Sequence, residues 1–102
     1  MEPETTNAPV QPVTAQEFLA DAASLLDERG AVYDKAGSER SMQKIVQVFN
    51  FLTGHQLTEV EGWRFMMVLK EVRATRNGFH QDSYLDLLAY TALMAEAARN
   101  TQ

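Results

Sequence analysis

The sequence predicts an all-α fold, a four-helix bundle. Three observations carry that expectation. Apolar residues recur at helical spacing in four separate stretches. No stretch alternates apolar and polar residues between hairpin turns. The links between the stretches are short and carry Gly, Ser or Asn, as antiparallel bundles require. At 102 residues, 45% of them hydrophobic, the chain has material for one domain with one core.

The residues from Met1 to Val13 hold all three prolines, Pro3, Pro9 and Pro12, with Glu2, Glu4 and Asn7. They offer almost nothing to bury, and are expected to form a disordered tail. Thr14-Ala15-Gln16-Glu17 has the form of a capping box. The helix it opens shows Phe18, Leu19, Ala22, Leu25 and Leu26 as its stripe, with Gly30 as a stop and Arg29 near its negative end. Gly30 to Gly37 reads as a link whose one large side chain is Tyr33, either packing aid or pocket rim.

Ser38 is the expected cap of the second helix, with Met42, Ile45, Val46, Phe49 and Leu52 on one face and Gly54 at its end. Arg40 and Lys44 share its polar side. Thr58 and Glu61 form a second capping box. The third helix is apolar on more than one side, through Val60, Trp63, Phe65, Met66, Met67, Val68, Leu69 and Val72. Asn77-Gly78 stops it, and Asp82 or Ser83 caps the fourth helix. The fourth helix is also apolar on two faces, so the bundle is expected to be completed by a homodimer or larger homo-oligomer. The helical domain is expected to span 14–98, with 99–102 frayed.

Several function classes are excluded by composition. Nine basic against fourteen acidic residues give a net charge of −5, which disfavours a broad nucleic-acid groove or an anionic membrane as partner. No apolar run approaches the ~20 residues of a membrane span. The acidic N-terminus does not resemble a secretory signal. Without cysteine there is neither a disulfide nor a thiolate metal site, which fits a cytoplasmic protein. No P-loop pattern occurs.

Charges inside the apolar helices are the functional signal. Lys70 and Arg73 interrupt the third helix and Asp86 the fourth. Charges at such positions are paired, bind a ligand or reach water. Lys70 and Arg73 share one face, and so do Asp82 and Asp86. If the hairpin link centres near Phe79, Arg73 lies level with Leu85 and Asp86, Arg76 with Asp82, and Lys70 near Leu88 to Tyr90. Three readings follow. Arg73 and Asp86 form a structural ion pair; or Lys70 and Arg73 hold phosphate while Asp82 and Asp86 hold magnesium or activate water; or the charges face a protein partner.

Arg29-Gly30-x-x-Tyr33, Phe49-Asn50-Phe51-Leu52-Thr53-Gly54, Leu69-Lys70-x-x-Arg73 and His80-x-Asp82-Ser83-x-x-Asp86-x-x-x-Tyr90 resemble a family of small phage and prophage proteins. That family is distantly similar to the all-α nucleotide pyrophosphohydrolases of the MazG type. The resemblance implies a MazG-like bundle in a bacterial host's cytoplasm and a nucleotide ligand. A MazG site holds magnesium on Glu-x-x-Glu and Glu-x-x-Asp. Here the first pair is Lys70-x-x-Arg73, and the second survives as Ser83-x-x-Asp86 with Asp82 beside it. The resemblance thus implies Asp82 and Asp86 as catalytic positions, Lys70, Arg73 and Tyr33 as substrate contacts, and Asp82, Asp86 and Glu71 as the remaining metal ligands. Two of the carboxylates that hold Mg2+ in that family are cations here, so the expected activity is binding or hydrolysis of nucleotides at a degenerate metal site. The alternative is a non-enzymatic phage protein, of inhibitor or anti-defence type, that binds a host or phage protein.

Overall fold

The computed structural model describes residues 12–33 (backbone only for 30–33), 41–76 and 78–101. They form four α-helices, with no strand among them: α1 (Ala15–Tyr33), α2 (Ser41–Thr53), α3 (Glu59–Ala74) and α4 (Gln81–Asn100). The all-α architecture is the one the apolar periodicity predicts. No helix among the described residues is long and apolar enough to cross a membrane.

Local chemistry sets the helix starts. At α1 the Thr14 N–H donates to Glu17 Oε1 (2.8 Å) and the Glu17 N–H donates to Thr14 Oγ1 (3.1 Å). The reciprocal pair recurs at α3, where the Thr58 N–H donates to Glu61 Oε1 and the Glu61 N–H to Thr58 Oγ1. Each box satisfies two backbone donors that a helix start otherwise leaves open. Gly54 ends α2 at φ +78° and Gly78 turns the chain at φ +76°, a left-handed conformation in which a β-carbon is strained.

Three boundaries differ from the sequence reading. Gly30 does not stop α1, which continues to Tyr33; a glycine within a helix lowers its stability by only about 1 kcal/mol, which packing can outweigh. α4 begins at Gln81, with His80 at the N-cap position, so neither Asp82 nor Ser83 is the cap. At its other end α4 runs on to Asn100. The expected tail up to residue 11, the Ser38 cap, Arg40 and the Tyr33 side chain lie outside the described residues.

α3 and α4 form an antiparallel hairpin. Trp63 stacks on Tyr90 with ring centroids 5.5 Å apart. Met42 and Val46 of α2 join Trp63 of α3 and Tyr90, Leu93 and Ala97 of α4 in one buried cluster, with Leu26 of α1 packed against it. Gly62 is buried where α2 crosses α3. A β-carbon there would lie 2.9 Å from Val46 Cγ1 and press on the Met42 sulfur. The missing side chain is what lets those two helices close.

Outside that cluster much apolar surface faces solvent. Phe51 is 87% exposed, Leu52 73% and Phe65 72%; Ile45, Val48, Val68 and Val72 are exposed as well.

Candidate functional site

Among the described residues Asp86 is the buried charge, only 7% exposed. It projects from α4 between two cations from two other helices. Arg29 Nη2 of α1 donates to Asp86 Oδ1 at 2.7 Å. Lys70 Nζ of α3 stands 2.8 Å from Asp86 Oδ2. Each carboxylate oxygen has its own cation, so one side chain ties α1, α3 and α4 together. Both distances are those of charge-assisted hydrogen bonds.

The node continues into the aromatic core. The Arg29 guanidinium lies over the Tyr90 ring, 5.8 Å from its centroid, within cation–π range. Asp86 and Tyr90 are one helical turn apart and share a face. Trp63 backs Tyr90, and its indole N–H reaches Glu59 Oε2 at 3.4 Å. From α1 to α3 the order is Arg29, Tyr90, Trp63, with Asp86 and Lys70 beside it.

Asp86 is therefore paired, but not with Arg73. Arg73 is exposed and has no ion-pair partner among the described residues. The reason is the position of the link. α3 ends at Ala74 and α4 begins at Gln81, so the turn centres between 77 and 78 rather than on Phe79. That shift moves the level partner of Asp86 from Arg73 to Lys70, one helical turn earlier.

Of the other expected site residues, Asp82 lies beside Asp86 and Glu71 does not join them. Asp82 lines a small cleft with Leu25, Arg29, Leu85 and Asp86. Glu71 is exposed on α3. Among the described residues no three His, Asp or Glu side chains gather closely enough to hold a metal ion. With both Asp86 oxygens engaged, the Asp82, Asp86 and Glu71 set does not fit a magnesium ion, which needs oxygen ligands free to face it. Lys70 is likewise engaged, whereas Arg73 is available to a ligand.

Arg73 instead faces a recess at the hairpin turn, lined by Arg73, Arg76, His80 and Ser83. A second, apolar cleft lies between the starts of α1 and α4, lined by Phe18, Leu19, Phe79, Tyr84, Leu87 and Leu88. Phe79 and Tyr84 stack there at 5.5 Å.

Arg29, Arg76 and Ser83 are the residues that sequence reasoning undervalued. Arg29 was legible as a buried-face residue, because it continues the α1 stripe of Phe18, Ala22 and Leu25 at the same spacing. Lys70 likewise continues Trp63 and Met66. Ser83 is one of two caps that the sequence offers for α4, and only the helix start at Gln81 turns it into a lining residue.

The model of a domain of unknown function, DUF6378, matches residues 17–98. The chain belongs to the DUF6378 family. The match spans all four helices of this DUF6378 protein, including the Arg29–Asp86–Lys70 node and the turn recess. No curated protein and no solved structure matches the chain.

Proposed function

We propose that this DUF6378 protein binds nucleotides through their phosphates and does not hydrolyse them. In this reading it is a phage-type accessory protein of the bacterial cytoplasm, on a MazG-like scaffold whose metal chemistry has been replaced. The observation that carries the reading is the double pairing of Asp86. Its two oxygens face Arg29 and Lys70 at 2.7 and 2.8 Å, so the acidic position of the MazG pattern serves the fold instead of a metal. Hydrolysis of a triphosphate through magnesium requires carboxylate oxygens open to the ion. Binding requires only unpaired donors, and Arg73 and Arg76 have no ion-pair partner among the described residues. Arginine suits that role, since its planar fork matches phosphate oxygens.

The test is incubation with each NTP and dNTP plus magnesium, following pyrophosphate release and thermal stability together. A stability gain without pyrophosphate supports the reading. Turnover above the background rate, or no shift with any nucleotide, would sink it.

A second reading concerns protein partners, and the exposed apolar surface of α2 and α3 favours it. Phe51, Leu52 and Phe65 are each more than 70% exposed. Patches of that kind mark interaction surfaces. A second copy of the chain is the partner proposed for this surface, making the bundle a homodimer. A host or phage protein is the alternative occupant. Light scattering separates the two, because only self-association raises the mass of the purified protein.

A further inference from the structure

We propose that the turn between α3 and α4 is a phosphate-binding recess built from Arg73, Arg76, His80 and Ser83. It takes a phosphate or pyrophosphate group. The inference rests on the phosphate-binding reading above and deepens it, by assigning the group to residues other than Lys70 and the two aspartates.

Four features converge there. The first is charge. Arg73 and Arg76, three residues apart, both line the recess, and neither is neutralised by a described acidic side chain. The second is the start of α4. His80 sits at its N-cap position with no side-chain hydrogen bond to the helix. The Ser83 N–H is spent on the His80 carbonyl (3.1 Å), so no side chain caps the Gln81 and Asp82 N–H groups that open a 20-residue helix whose dipole favours an anion.

The third feature points to a ligand independently of the helix end. Ser83 is only 8% exposed, yet its hydroxyl bonds to no group among the described residues. Buried hydroxyls are nearly always satisfied, and the exceptions need a reason. Thr91 and Thr53, with a helical turn before them, bond back to the carbonyls of Leu87 and Phe49. Ser83 does not, and it lines the same recess as the two arginines. A phosphate oxygen is the acceptor that a hydroxyl and two guanidinium groups would share.

The fourth is size and separation. The recess measures about 340 Å³, within the range of roughly 300–1,000 Å³ for small-molecule sites. Asp82, whose charge would oppose an anion, lines the cleft shared with Leu25 and Arg29 and is not among the residues lining this recess.

Titration calorimetry of the full chain with sodium phosphate and with pyrophosphate, at constant ionic strength, tests the assignment. Arg76→Gln and Ser83→Ala are the decisive variants. Arg76 is exposed, and Ser83→Ala removes an unsatisfied buried hydroxyl, so both should fold as the parent does. Pyrophosphate should bind the parent, and each variant should weaken it about tenfold or more. Absence of binding to the parent, or equal binding by parent and variants, overturns the recess. If nucleotides bind parent and variants equally, the recess is wrong and the nucleotide reading stands. If pyrophosphate binds as expected but no nucleotide does, the recess stands and the nucleotide reading falls.

Discussion

Removing the Asp86 carboxylate should be among the most damaging single changes in the helical core. In Asp86→Ala, Arg29 and Lys70 lose the anion that each now meets at 2.7–2.8 Å. Their side chains are only 24% and 14% exposed, so neither cation is rehydrated without movement. Stripping one partner from a buried ion pair costs about 3–5 kcal/mol, mostly from the charge left behind. Arg29 keeps the Tyr90 ring, a further contact and some access to water, which favours the low end of that range, about 3 kcal/mol. For a domain of this size each kcal/mol moves Tm by about 4–8 °C, so the midpoint should fall by roughly 12–24 °C. Circular dichroism melts with parallel urea titrations measure this. The double variant Asp86→Leu with Lys70→Met should recover part of the loss, because it removes opposite charges together. A single Asp86→Ala variant within about 1 kcal/mol of the parent would refute the reasoning. Were such a variant also unable to bind nucleotide, Asp86 would be a ligand in an open site instead of a tie between helices.

Three further outcomes follow from the packing. Gly62→Ala should destabilise by about 1–3 kcal/mol in urea unfolding, despite alanine's better helix propensity, because its β-carbon meets Val46 and Met42. Thr58→Ala should cost about 1 kcal/mol in the same assay through loss of the α3 capping box. Phe65→Asp should leave the monomer folded, since that side chain is 72% exposed, and should lower the mass seen by light scattering if α3 joins two copies.

The helices were largely legible in the sequence because each element's signals agreed. Both Thr-x-x-Glu boxes and the glycine turns at Gly54 and Gly78 appear where the residues place them, whereas Gly30 lies inside α1. The charged node was legible only in part. Asp86 and Lys70 stood out as charges on apolar faces, but their partnership depends on where α4 begins. A cap at Asp82 or Ser83 sets one register; the observed start at Gln81 shifts Asp86 by about a turn along α3. Local sequence leaves that choice nearly balanced, since His80, Asp82 and Ser83 all lie within three residues. The third partner, Arg29, lies 57 residues away from Asp86 along the chain, and no local pattern reports a contact of that range. Gly62 escaped notice for a related reason: its role is set by Met42 and Val46 of another helix.

In the proposed reading, the tie made by Asp86 and the open cations at the turn give binding without chemistry. Nucleoside triphosphate titrated into the protein by calorimetry, with and without magnesium and with pyrophosphate monitored throughout, addresses that most directly. The account predicts saturable binding that persists without the metal, and no pyrophosphate above background. Pyrophosphate release that requires magnesium and disappears in Asp86→Asn would contradict it.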